Sequence, residues 1–381
     1  MRRSPEREIE ALMSARLGRP CLFLPSGRLA LYLALRTLLS PGDRILMSPV
    51  NDDVIFFTVL AAGLRPVIAP VSVKDGNIAP DLVEEQVWTS VAGVLTTNLY
   101  GLPDRVVELR SRCDRHGIAM VEDAAHAIET EVNGRFIGTF GDAAAFSLSK
   151  RVGAPCGGVL AFEDEGDRAK LERLRDGVTV AGRPRDHLKQ AGTHAAERLV
   201  IGMNLVWPAR WLRRSLGQSE RSSFRMPLRA AELRDAIAGG PGLEPFDPWV
   251  RVDRHDYHVR PSMVLLEETL RRLRRLDRDR ARRIEGVARL SALPIAAPAV
   301  RENDPQPLFR VPLLVEDRSA MIARVERHIH GIGYIYDPPL DDYVGPEFAE
   351  ASRAPDPARW WAGRVFAVDP LEADRFLESG F

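Results

Sequence analysis

From Cys21 to Phe162 the chain keeps one rhythm, in which short apolar runs alternate with amphipathic stretches. The runs at 44–49, 66–71, 93–98, 118–122, 143–148 and 158–162 read as strands. The segments at 29–39, 54–62, 81–87 and 104–116 carry the spacing of helices, and another helix at 8–17 leads in. Strand, helix, strand in this order predicts an α/β fold around a mostly parallel sheet. Ligands of such sheets sit in the loops at the carboxyl ends of the strands. The 381 residues suffice for about two domains. We place a large domain at 1–245, with an insertion at about 185–250, and a smaller α/β domain at 246–381. The smaller domain is predicted to hold a strand at 309–315, a helix at 318–330 and a strand at 364–368.

Arginine outnumbers lysine 49 to 4, the lysines being Lys74, Lys150, Lys170 and Lys189. Arginine serves wherever only positive charge is needed, but its guanidinium cannot act as a nucleophilic amine. A retained lysine at a strand end therefore marks a candidate for covalent chemistry. Lys150 stands there, after the run 143–148 and before Gly157 and Gly158. Its other reading is a solvated cation.

Three further places bear on the same chemistry. Ser26, Gly27 and Arg28 precede an apolar helix, where a helix N-terminus offers unpaired N–H groups to an anion; taken alone, a plain serine cap is the commoner reading. Asp123 ends a very apolar strand beside small residues, with His126 following. A carboxylate there can hold a ring nitrogen protonated, or simply cap a helix. Ser147, close to Lys150, can donate to a phosphate or sit within its strand. An anion site, a pyridinium partner and a Schiff-base lysine, in that order, are what pyridoxal 5′-phosphate (PLP) requires.

Composition excludes several alternatives. Basic and acidic residues balance at 53 each, so no overall field draws the chain to nucleic acid or membrane. The arginine run at 271–283 has leucines at 270, 273 and 276 and Ile284 on a helical stripe, so it reads as the solvated face of one long helix. Residues 199–217, apolar with two tryptophans and basic neighbours, read as a cap or dimer-contact element, with membrane-surface contact as the alternative. Cys21, Cys113 and Cys156 are odd in number and lack metal-ligand spacing, which fits a reducing cytoplasm and argues against zinc. The N-terminus has no apolar signal-peptide core.

Seven blocks in order carry a resemblance: SGRLALYLAL, PGDRILMSPV, AAGLRPVIAPV, NLYGLPD, RHGIAMVEDAAHA, NGRFIGTFGDAAAFSLSK and CGGVLAF, followed by DYHVRPSM, HGIGYIYDPPL and FAVDPL. Together they resemble the DegT/DnrJ/EryC1/StrS family of sugar aminotransferases of fold type I. The resemblance implies a PLP-binding large domain with a smaller C-terminal domain. It implies that Lys150 holds the cofactor covalently and shuttles a proton, that Asp123 pairs with the pyridine nitrogen, and that His126 lies near the ring. Ser147 and the backbone at Gly27 and Arg28 would bind the phosphate. His258 would reach the site from the neighbouring subunit of a homodimer. The implied reaction moves an amino group from a donor such as L-glutamate to a keto sugar carried on a nucleotide.

The chain also departs from the family pattern. Arg28 follows Ser-Gly where hydroxyl residues are usual, His258 replaces an asparagine, Cys156 an acidic residue, and Asp341 stands where Pro-Leu-His is usual. The block PVNDDVIFF is one residue short, so it does not say which aromatic would stack on the ring. These departures motivate a non-catalytic binding protein as an alternative. A PLP-dependent sugar dehydratase is another; members with that chemistry replace the lysine, often with histidine.

Overall fold

The computed structural model describes residues 4–182, 225–252, 256–329, 332–333 and 335–380. A seven-stranded sheet runs through residues 21–162. Its strands are β1 (Cys21–Leu24), β2 (Arg44–Met47), β3 (Arg65–Ile68), β4 (Gly93–Thr96), β5 (Ala119–Asp123), β8 (Ala143–Ser147) and β9 (Gly158–Phe162). They lie in the order β1-β9-β8-β5-β4-β2-β3. The neighbours from β3 through β8 pair in parallel, and β9 runs against both β8 and β1. This is the expected α/β sheet.

Strand β1 has no counterpart among the expected strands. Its four residues are all apolar and all buried, so they show no alternation to read. Leu22 and Leu24 enter the core on one face of the sheet, and Phe23 enters the core on the other. The first face packs against helices α1 (Gly27–Leu38) and α2 (Asp53–Ala61) through Leu29, Leu33, Phe56 and Phe57. The second packs against the helices Pro5–Leu17 and Val106–His116 through Ile9, Met13 and Leu109.

Two expected helices are corrected. Segment 81–87 is a 3₁₀ turn (Pro80–Leu82) and a short helix (Glu85–Trp88) separated by an extended Val83. Val83 and Trp88 are buried in one core, yet five residues along a continuous helix would point them about 140° apart. The arginine-rich helix is likewise broken, into Met263–Leu273 and Arg280–Ser291. Leu270, Leu273 and Leu276 pack under the sheet, whereas Val287 and Leu290 join a third core built from C-terminal residues. The break redirects the chain from one core to the other. It also buries Arg283, at 5% exposure, which the stripe had placed in solvent.

The third core surrounds the antiparallel pair β10 (Val311–Leu314) and β11 (Val365–Val368). The helix expected at 318–330 ends at Val325. A small hairpin, β6 (Glu131–Val132) and β7 (Arg135–Phe136), turns on Asn133 and Gly134, both with positive φ, an Asn-Gly signal that was open to reading. Segment 199–217 lies outside the described residues. The stretch after it is anchored: Trp249 stacks on Phe57 at 5.2 Å, and Arg225 is buried in a ring of acceptors described below.

Candidate functional site

The carboxyl ends of β1, β2, β4, β5 and β8 open on one side of the sheet, and each supplies a residue. Ser26 caps α1, its hydroxyl accepting from the Leu29 amide at 3.2 Å. The turn it forms is pressed against β8. A Cβ added to Gly27 would lie 2.9 Å from Ser147 Cβ and 3.1 Å from the Phe146 carbonyl oxygen. Gly157 and Gly158 close the other side. The Gly157 amide donates to the Pro25 carbonyl at 2.9 Å, and a Cβ on Gly158 would meet Ser26 backbone at 2.3 Å. The glycine pair therefore serves this close backbone approach. Ser147 and Ser149 hydroxyls lie 3.0 Å apart beside it. Arg28 is buried on the first turn of α1, at 8% exposure.

Asp123, at the end of β5, is 6% exposed and accepts from the Ala125 amide at 3.0 Å. Its carbonyl accepts from Asn98 Nδ2 at 3.0 Å. Asn98 itself is held in the left-handed region (φ 46°) by a second carboxylate, Asp104, which accepts from the Thr97, Asn98 and Ile78 amides. Burial raises Asp104 to about 6 against those three amides. Burial also raises Asp123, to about 7; the Ala125 amide and the Lys150 cation oppose the rise, and the Asp52 carboxylate reinforces it. His126 is driven the other way, down to about 3, first by desolvation and then by the Lys150 and Arg310 charges, with Asp52 opposing. Its ring lies between Phe309, stacked at 4.8 Å, and Tyr100 at 6.4 Å.

Asp123, His126 and Lys150 thus share one electrostatic neighbourhood, and Ser26, Gly27 and Ser147 meet directly. Two members of the neighbourhood are new. Asp52 caps α2 by accepting from the Val54 amide at 3.0 Å, at the turn where no stacking aromatic could be identified. Arg310 comes from the third core. Neither had a sequence signal, because both reach the site only through tertiary folding. Asn98 and Asp104 lay within the block NLYGLPD, whose rigidity can now be traced to their bonds. His258 is not brought to this group. Its ring pairs with Asp256 at 2.5 Å and its carbonyl accepts from the Val180 amide at 2.8 Å. The three cysteines are buried, and burial pushes each thiol up to about 12, so none is poised as a nucleophile.

The Asp52 turn is stapled by Arg225. This guanidinium donates to Asp53 Oδ1 and the Asn51 carbonyl, both at 2.6 Å, to the Pro338 carbonyl at 2.7 Å, and to the Pro49 and Tyr336 carbonyls. Asn51 Nδ2 in turn donates to Thr97 Oγ1 at 3.2 Å, joining the turn to the end of β4.

The donor set fits PLP. The Gly27 turn brings a helix N-terminus, where an anion is stabilised, against Ser147. The buried Asp123 carboxylate has a pKa near 7, so a cationic ring nitrogen would supply counter-charge it is short of. Lys150 supplies the amine. Together these define a class, the PLP-binding proteins built on an α/β sheet.

The chain belongs to the DegT/DnrJ/EryC1/StrS aminotransferase family, which it matches over residues 5–267. It is 30% identical over 161 residues to GDP-perosamine synthase of Vibrio cholerae, covering 42% of this chain and 44% of that one. It is 32% identical over 219 residues to dTDP-3-amino-3,4,6-trideoxy-alpha-D-glucose transaminase of Streptomyces venezuelae, covering 57% and 56%. The matched stretches span about half the length of these relatives. Among solved structures, the E. coli GDP-4-keto-6-deoxy-D-mannose-3-dehydratase with bound hydrated PLP superposes with a TM-score of 0.65, over 99% of this chain and 92% of that one, at 16% identity. That likeness concerns the fold.

Proposed function

We propose that this protein is a PLP-dependent aminotransferase that takes an amino group from an amino acid such as L-glutamate and passes it to a keto sugar, nucleotide-linked in the relatives' manner. The observation that supports the reading is the buried Asp123 carboxylate at the end of β5, within electrostatic reach of Lys150, which follows the adjacent parallel strand β8. When bound, PLP supplies an electron sink for the carbon that loses its proton. Asp123 would hold the proton of the ring nitrogen, and Lys150 would hold the cofactor through its amine and move the proton at the substrate carbon. The Ser26–Gly27–Arg28 turn and Ser147 hold the phosphate. His126, kept neutral by its surroundings, would lie near the ring.

The dehydratase reading draws on the fold likeness, and the lysine at position 150 argues against it. We further propose a homodimer in which His258 faces the neighbour's site. We place the protein in the cytoplasm, in keeping with three unpaired buried cysteines; among the described residues no helix is long and apolar enough to cross a membrane.

The test is borohydride reduction of the PLP-loaded protein followed by peptide mapping. Fixation at Lys150 is expected, and Lys150→Ala should abolish it; fixation that persists in that variant refutes the assignment. The visible band should bleach with L-glutamate and return with a keto-sugar acceptor, whereas a non-catalytic member would keep its colour.

A further inference from the structure

We propose that Arg151 and Glu129 are positioning residues that aim the Lys150 amine, an inference that rests on the PLP reading above. Arg151 directly follows Lys150, and Glu129 stands three residues beyond His126 on the segment leaving β5. Their side chains meet as an ion pair that is 5% exposed on the arginine and 0% on the glutamate. The pair therefore joins the two turns that leave β5 and β8, one bearing Asp123 and His126 and the other Lys150. The Lys150 turn is otherwise closed largely on itself. The Leu148, Gly153 and Ala154 amides donate to the Gly157, Lys150 and Leu148 carbonyls at 3.0, 3.0 and 2.8 Å. Those bonds fix the shape of the turn but not its bearing on the neighbouring strand end. Arg272 holds its far side by donating to the Gly153 carbonyl, and Arg151 holds its near side against the Asp123 segment.

Glu129 is itself held in place. Its carbonyl accepts from Arg280 at 3.1 Å, and the same guanidinium pairs with Glu131 at 3.0 Å and lies 3.9 Å from the Glu129 carboxylate. Arg151 also donates to the Leu276 carbonyl at 3.5 Å. Space filling does not account for the pair. Two buried charges lose their hydration, and apolar side chains of similar volume commonly match or exceed the stability of such a pair. Here burial, reinforced by the Arg283 charge, lowers Arg151 to about 10, with Glu129 opposing. A charged contact supplies what an apolar one lacks, a fixed direction. For an amine on a four-carbon stem, that direction decides whether it meets the substrate carbon, and a misplacement of about 1 Å costs about 100-fold in rate.

The test removes both charges at once, so that neither is left buried alone: Glu129→Gln combined with Arg151→Met. This double variant should unfold at a urea concentration close to that of wild type and take up PLP, with borohydride fixation still at Lys150. The circular dichroism of its visible band, which reports how the protein holds the cofactor, should change. At saturating L-glutamate, bleaching in a single turnover should slow about 10- to 100-fold, with the half-saturating concentration unchanged. Arg151→Lys, which keeps the charge without the planar fork, should fall between. Bleaching at the wild-type rate overturns the proposal, as does slowing that leaves the dichroism unchanged. If the double variant does not fold or take up PLP, Arg151→Lys decides, slower bleaching at unchanged half-saturation supporting the role and wild-type bleaching overturning it. A wild-type protein that acquires no band with PLP instead removes the functional reading, and this inference with it.

Discussion

Replacing Asp123 with asparagine should have opposite effects on the empty and the loaded protein. In the empty protein the carboxyl group has a pKa near 7, against an ordinary 3.8, because burial penalises its charge. The native state therefore holds a proton that the unfolded chain has released over that pH range. Stability contributed by this group is complete below about 4 and is lost as pH rises through about 7. At about 1.4 kcal/mol per pH unit, the full loss is about 4 kcal/mol. The amide that replaces the carboxyl group would keep an oxygen to accept from the Ala125 amide but would carry no charge. The empty variant should then match wild type near pH 4 and exceed it by up to about 4 kcal/mol above pH 8. Asp104 and other buried acids titrate in the same window, but they are common to both proteins and cancel in the difference. Urea unfolding of the two empty proteins at several pH values measures it. With PLP bound the order should reverse, since the carboxylate gains a ring cation and the amide cannot, and the half-reaction with L-glutamate should be nearly lost. Parallel stability–pH curves for the empty proteins would refute the argument that Asp123 is a buried acid short of counter-charge.

Other substitutions probe the supports. Gly27→Ala places a methyl group 2.9 Å from Ser147 Cβ and should cost about 1–3 kcal/mol, read as a lower melting temperature, with weaker PLP uptake. Arg225→Met leaves Asp53 buried without its partner and should cost about 3–5 kcal/mol in urea unfolding. Deleting 199–217 should leave sedimentation with liposomes unchanged if that segment is a cap or contact element; lost sedimentation would favour the membrane alternative.

The sheet was legible because most of its strands sit between helices of clear period, so each apolar run had contrast on both sides. Strand β1 lacked that contrast, lying between a helix and a turn with every residue buried. The two broken helices misled for a related reason: periodicity records which residues are apolar but not which core receives them. Val83 and Trp88 share a core out of helical phase, while Leu273 and Val287 are nearly in phase and belong to different cores. At the site, Lys150 stood out as one of only four lysines, Asp123 as the end of an apolar strand and Ser26 as a cap ahead of an apolar helix. Asp52 and Arg310 did not, since one resembled an ordinary helix cap and the other was one arginine among many.

The bare backbone at Gly27 has a consequence for how such a site can change. The turn that would grip a phosphate rests directly on the residue three places before Lys150, with no flexible side chain between them to absorb movement. Any displacement of one is delivered to the other almost undiminished. Grip and reactive amine therefore share a single mechanical reference, and selection for different substrates would have to act on the opposite wall, where β10 and β11 approach, leaving this corner untouched.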